Sequence, residues 1–151
     1  MTARKSLKDG MLPATVVASR AVARQESYSG RIPLEKLVRL RPLLEDAGGE
    51  LQVEIEISRD GEGAGWIKGR VTGALQLICQ RGLHPYAWPC DLALSLRLVD
   101  SESEEEQVLE HQDPYLVHDD SLPLLDLVED EVLLSMPMLP RCEDPGCVDR
   151  L

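Results

Sequence analysis

Between residues 50 and 99 apolar and polar positions alternate in three successive segments. In ELQVEIEIS, Leu51, Val53, Ile55 and Ile57 fall on one face and Gln52, Glu54 and Glu56 on the other, the period of two expected of a half-buried strand. RDGEGAG follows with turn chemistry. WIKGRVTGALQLICQ then alternates again, with Ile67, Val71, Leu75, Leu77 and Cys79 on one face. Gly69 and Gly73 interrupt that face, where a strand glycine marks close packing or a bend. PCDLALSLRLV gives the third run, with Cys90, Leu92, Leu94, Leu96 and Leu98 inward. The pattern predicts an antiparallel meander over 51–57, 66–79 and 88–99. A turn centred near His84-Pro85 would set Cys79 opposite Cys90, Leu77 opposite Leu92 and Leu75 opposite Leu94, all on the core face.

Two segments carry helical spacing. IPLEKLVRLRPLLEDAGG has Pro33 in a first-turn position, Leu34, Leu37 and Val38 in helical register, and Gly48-Gly49 as a stop, which predicts a helix over 34–46 interrupted near Pro42. DDSLPLLDLVEDEVLLSMPMLP predicts a second over 122–136, capped by Asp120 or Ser121, with Pro123 in its first turn and Pro137 closing it. Leu125, Val128, Val132 and Met136 form its core stripe, while Leu127 and Leu134 lie nearly opposite, among Asp126, Asp130 and Glu131. Either that side is also covered or it faces a partner. Residues 12–30 show no sustained period and read as an extended basic arm able to pair with a sheet edge. DSESEEEQ, at 100–107, reads as a flexible acidic loop. The expected fold class is α+β: an antiparallel β meander packed against two main helices, with an extended basic N-terminal arm. The expected division is a disordered basic tail at 1–11 and a single domain at 12–151.

Composition refines this picture at three points. A chain of 151 residues supports one core, and the lack of Phe makes that core aliphatic. The net charge of −11 splits into +6 for residues 1–41 (nine basic, three acidic) and −17 for the rest (seven basic, twenty-four acidic). That is a basic arm on an acidic body, although an acidic surface also serves solubility alone. No apolar run is long enough for a membrane span or a signal peptide, so a cytoplasmic protein without a membrane partner is expected. In that reducing compartment the four cysteines are thiols or metal ligands before they are disulfides.

Phosphate-loop, zincin and nucleophile-elbow motifs are all missing, and His84, His111 and His118 are scattered. No enzyme and no small-molecule substrate are expected. The segments LPATVVASRAVARQESYSGRI, GRVTGALQLICQRG and LPLLDLVEDEVLLSMPMLPRCEDPGC, in this order and spacing, resemble the YceD family of large ribosomal RNA subunit accumulation proteins from Leu12 to Cys147. The resemblance implies a non-catalytic ribosome-biogenesis factor supporting accumulation of 23S ribosomal RNA and large-subunit assembly. Its partner would be a basic ribosomal protein of the large subunit and/or precursor 23S rRNA. Asp126, Leu127, Glu129, Asp130 and Leu134 are the candidate protein-binding residues, and Arg20, Arg24 and Arg31 the candidate RNA contacts.

The family typically carries C-x-R-C and a later cysteine pair, which together look like a zinc site. Cys79 and Arg81 match the first motif, Gly82 stands where its second cysteine belongs, and Cys142 and Cys147 match the later pair. C-x-x-G offers no bite for a metal and C-x-x-x-x-C a loose one. Unmetallated thiols and no cofactor are therefore expected. The alternative is a small metal-binding enzyme or a zinc-dependent RNA-binding module built on Cys79, His84, Cys90, Cys142 and Cys147.

Overall fold

The computed structural model describes residues 4–142. Four antiparallel strands form the centre of a six-stranded sheet: β3 (Ser27–Pro33), β4 (Glu50–Arg59), β5 (Gly65–Ile78) and β6 (Pro85–Val99). Two strands paired in parallel flank them, β1 (Arg4–Met11) beside β3 and β7 (Pro114–Leu116) beside β6. The meander is thus where the alternation placed it. On β4, Leu51, Val53, Ile55 and Ile57 are buried and Gln52, Glu54 and Glu56 exposed. Gly69 permits the close approach of β5 to β4, because a Cβ there would stand 2.3 Å from the Glu54 carbonyl oxygen.

The register of the β5–β6 hairpin differs from the expected one. Cys90 faces Gly73, Leu92 faces Val71 and Leu94 faces Gly69. The partner of Cys90 thus moves six residues, from 79 to 73. A slip by an even number keeps every side chain on its predicted face, so the apolar pattern alone cannot detect it. What sets the register is a turn earlier than His84-Pro85: Leu83 N–H donates to the Cys79 carbonyl (2.7 Å), Cys79 N–H donates to the His84 carbonyl (2.9 Å), and Ile78 pairs with Pro85.

Residues 34–46 do not form a helix. Two 3-10 turns, Leu34–Lys36 and Arg41–Leu43, replace it, with Pro42 inside the second. The buried positions Leu34, Leu37 and Leu40 are three apart, which is the period of the 3-10 turn and not of the α-helix. The basic arm is also more structured than expected. Arg4–Met11 is a strand, Val16–Val17 (β2) pairs with Ser121–Leu122 (β8), and Ala18–Arg24 is a helix, α1. Its cap comes from far along the chain: the Ser19 N–H and hydroxyl donate to the two Asp120 carboxylate oxygens at 2.8 and 2.5 Å, and the Ala18 N–H to the Asp120 carbonyl at 2.8 Å. No local pattern could have shown that.

The acidic stretch likewise is a helix, α2 (Glu102–Leu109), in place of a loop. Ser101 caps it by accepting the Glu104 N–H at 3.2 Å, and Glu102, Glu104 and Glu105 lie in the first turn, where the helix dipole favours them. Ser101 and Glu104 have the S-x-x-E spacing of a helix start. The last helix, α3 (Leu124–Ser135), is where it was expected, but Pro123 stands at its N-cap, and Asp120 serves α1 instead. Leu124, Leu127, Val128 and Val132 are buried and join Leu51, Ile55, Val71, Leu75 and Leu94 in one core. Leu127 is therefore not on an outward stripe; Leu134, 80% exposed, is. No helix among the described residues is long and apolar enough to cross a membrane.

Candidate functional site

The tip of the β5–β6 hairpin gathers most of the chemistry of this chain. Cys79 immediately follows β5 and is buried. The turn after it, Gln80-Arg81-Gly82-Leu83, curls back so that the Gly82 N–H donates to Cys79 Sγ at 3.3 Å. Leu83, at φ 56°, takes the left-handed conformation that closes the turn. The segment after α3 docks here: Gln80 N–H donates to the Pro140 carbonyl (2.7 Å), the Arg81 guanidinium to the Cys142 carbonyl (3.2 Å), and the Cys142 N–H to Cys79 Sγ (3.4 Å). Two cysteines 63 positions apart in the chain are thereby joined.

His84 completes the cluster. Its Nδ1 lies 3.1 Å from the Pro85 carbonyl oxygen, which can only accept, so Nδ1 carries the proton in that contact and Nε2 presents a lone pair. Nε2 is 3.6 Å from Cys142 Sγ, and the ligand atoms of Cys79, His84 and Cys142 all lie within 4.8 Å of one another. Burial pushes the Cys79 thiol up, but the N–H groups of Cys142, Gly82 and Arg81 and the Cys142 side chain outweigh it and bring it down to about 6. Cys90 behaves in the reverse way: burial, and then the neighbouring Asp91 charge, push its thiol up to about 11. Cys90 lies in the apolar core opposite Gly73 and is no part of the cluster. Cys147 lies outside the described residues.

The sequence model of the family described as large ribosomal RNA subunit accumulation protein YceD matches residues 67–150, from β5 through the hairpin tip and α3 to the second cysteine pair. The chain belongs to the YceD family. A Haemophilus influenzae protein named large ribosomal RNA subunit accumulation protein YceD is 25% identical over 137 residues, covering 90% of this chain and 79% of its own. No solved structure matches significantly. The family name ties this YceD protein to large-subunit ribosomal RNA.

The remaining candidates are dispersed. Glu129 is buried and accepts hydrogen bonds from the Arg39 N–H (2.9 Å), the Leu40 N–H (3.1 Å) and Arg39 Nε (2.9 Å). Asp130 pairs with Arg39 Nη1 at 2.5 Å. Both had been expected to face a partner; Glu129 instead anchors the 37–41 segment to α3. Asp126 and Leu134 remain exposed. Arg20 and Arg24 lie one turn apart on exposed positions of α1, whereas Arg31 sits on β3 and pairs with Glu50 at 3.3 Å. Sequence reasoning missed Arg39 altogether and assigned Asp120 to the wrong helix, because their partners are about ninety and one hundred residues away.

Proposed function

We propose that this YceD-family protein is a non-catalytic ribosome-biogenesis factor that supports accumulation of 23S ribosomal RNA by holding a basic ribosomal protein of the large subunit during assembly. The observation that carries this reading is an acidic body that also exposes large apolar side chains. The body beyond residue 41 carries −17, part of it the run of glutamates on α2, and Leu134, Met138 and Leu139 are 80%, 98% and 65% exposed along and after α3. Charge of this sign steers a basic client and sets its salt dependence, while the apolar positions supply affinity. Of the candidate contacts, Asp126 and Leu134 suit this role; Leu127 and Glu129 act within the fold.

Direct binding of precursor 23S rRNA through Arg20 and Arg24 is the second reading, supported by their exposure on α1. It is the weaker, because Arg20 lines a cleft shared with the buried carboxylate of Glu26, which repels phosphate.

The test is complementation of a deletion strain, read as the ratio of large- to small-subunit ribosomal RNA. A Leu134→Asp, Met138→Asp variant and a Glu102→Lys, Glu105→Lys, Glu106→Lys variant, each folded like the parent, should fail to restore the ratio, while Arg20→Glu, Arg24→Glu should restore it. The opposite pattern would transfer the function to RNA contact by α1.

A further inference from the structure

We infer that Cys79, His84 and Cys142 form a binding site for a thiophilic divalent cation, Zn2+ before others, in which His84 takes the place of the cysteine that Gly82 displaces. The spacing of the sequence argues against a metal, since C-x-x-G cannot bite an ion. The fold removes that objection by bringing two further ligands to Cys79, one from the end of the turn and one from the segment after α3.

One of the three ligand separations already has the value of a tetrahedral zinc site. Zn–S of about 2.3 Å and Zn–N of about 2.0–2.1 Å in a tetrahedral site place sulfur and nitrogen roughly 3.6 Å apart; Cys142 Sγ and His84 Nε2 are 3.6 Å apart. The three ligand atoms lie within 4.8 Å of one another, close enough for side-chain adjustment to bring all three to one ion. His84 is already oriented for coordination, because its Nδ1 donates to the Pro85 carbonyl and Nε2 points at the cluster. A backbone carbonyl on the far ring nitrogen is the usual support of a metal-bound imidazole. The sulfur of Cys79 likewise receives N–H groups from Gly82 and Cys142, donors of the kind that support a metal-bound thiolate.

The donor set holds two sulfurs and one imidazole nitrogen and no carboxylate, which selects zinc over magnesium or calcium. The fourth position falls to water. A cation here would fix the docking of residues 140–142 on the hairpin tip, a structural role that does not depend on which partner the protein holds.

Full-length protein purified under reduction and without chelator should contain about one zinc per chain by elemental analysis, as a filled structural site does. Metal-free protein given one equivalent of Co2+ should develop thiolate-to-cobalt charge-transfer absorption and the visible bands of tetrahedral cobalt. His84→Ala and Cys142→Ser should weaken Zn2+ binding by more than the roughly 10–100-fold that loss of an outer-shell partner costs, and added Zn2+ should raise the melting temperature of the parent but not of these variants. Cys90→Ala should bind as the parent does. His84→Cys should keep the site and intensify the charge-transfer bands, so the idea remains exposed to test even where the alanine variant folds poorly. Two results would overturn it: parent protein that gives no cobalt charge transfer, or affinity unchanged in both His84→Ala and Cys142→Ser.

Discussion

Glu129 on α3 and Cys79 at the hairpin tip solve one problem with different atoms. Each is buried, and each accepts backbone N–H groups from a segment remote in sequence: Arg39 and Leu40 for Glu129, Cys142 for Cys79. The carboxylate holds its amides at 2.9 and 3.1 Å and is covered by the Arg39 guanidinium. The sulfur holds its own at 3.3 and 3.4 Å, as suits a larger and weaker acceptor, and its neighbours are a thiol and an imidazole. An oxygen anchor of this kind is complete within the protein. A sulfur anchor beside His84 and Cys142 is open to a cation. Cys90 supplies the control, being equally buried but surrounded by apolar core, so that its thiol is pushed up where that of Cys79 is brought down. Burial alone does not set the chemistry of a cysteine; the N–H groups aimed at it do.

The largest effect should come from removing the complete anchor. Glu129→Ala leaves two backbone donors without their acceptor, each costing about 1–3 kcal/mol where it stays buried and unpaired, while the half-exposed Arg39 guanidinium rehydrates and keeps Asp130. The measurement is equilibrium denaturation of parent and variant. Glu129→Gln, which keeps one acceptor oxygen, should lose less. A variant as stable as the parent would mean that the 37–41 segment is held by Leu34, Leu37 and Leu40 in the core and not by the carboxylate. It also follows that reversing Asp126, Glu129 and Asp130 together cannot test partner binding, because the middle substitution strikes the fold.

Next in size is the control cysteine. Cys90→Ala should cost about 1 kcal/mol or slightly more, the scale of removing a small buried group. It should also change the alkaline limb of the stability curve. A folded-state value near 11 against an ordinary value of 9.0 means that the folded protein keeps a proton that the unfolded chain releases. The contribution is therefore whole below about pH 9 and falls by about 1.4 kcal/mol per pH unit as pH rises towards 11. Urea melts at pH 8, 9 and 10 should show that extra slope in the parent and its loss in Cys90→Ala. An identical slope in both would place Cys90 in contact with solvent.

How much of this was legible in advance depended on the range of the interaction. Leu51, Val53, Ile55 and Ile57, and Ile67, Val71, Leu75 and Leu77, are buried as their alternation requires, because a period of two is a local property of an extended chain. The apolar face of α3 was legible in part, at Val128 and Val132, and misread at Leu127, since a helix covered over a wide arc buries more than one stripe. Register was invisible, because an even slip preserves every face. The site was half legible: Cys79 and Cys142 stood out by type, but only the turn between Cys79 and Pro85 shows why His84, and not Cys90, belongs with them.

A smaller effect should follow from Asp120→Ala. Asp120 caps α1 through Ser19 from across the chain, and loss of such a cap costs about 1 kcal/mol. The signature that separates a cap from general destabilisation is local, namely faster hydrogen exchange confined to the amides at the start of α1. Asp120→Asn, which retains a capping oxygen, should restore most of the protection. Exchange that accelerates equally over β4 and β5 would assign Asp120 to global stability and remove it from the start of α1.

The smallest effect should belong to the ion pair with the best geometry. Arg70 and Asp91 form a two-pronged contact across β5 and β6, Nε to Oδ1 at 2.8 Å and Nη2 to Oδ2 at 2.7 Å, whereas Arg39 reaches Glu129 at 2.9 Å. By geometry alone the first pair should matter more. It is exposed at both ends, however, at 62% and 56%, while in the second pair Arg39 is 47% but Glu129 only 2% exposed. Water and salt screen the exposed charges, and each partner left behind after a substitution is simply rehydrated. Arg70 holds the Asp91 carboxyl below its ordinary range, so whatever the pair contributes is present above that range and disappears as pH falls through it. A double-substitution cycle of Arg70→Ala and Asp91→Ala should therefore give a coupling too small to resolve at physiological salt, and the same cycle on Arg39 and Glu129 a clear one. Comparable couplings in the two cycles would mean that fork geometry outweighs burial here, and that the contrast between a closed and an open anchor rests on the shape of the contact instead of its access to water.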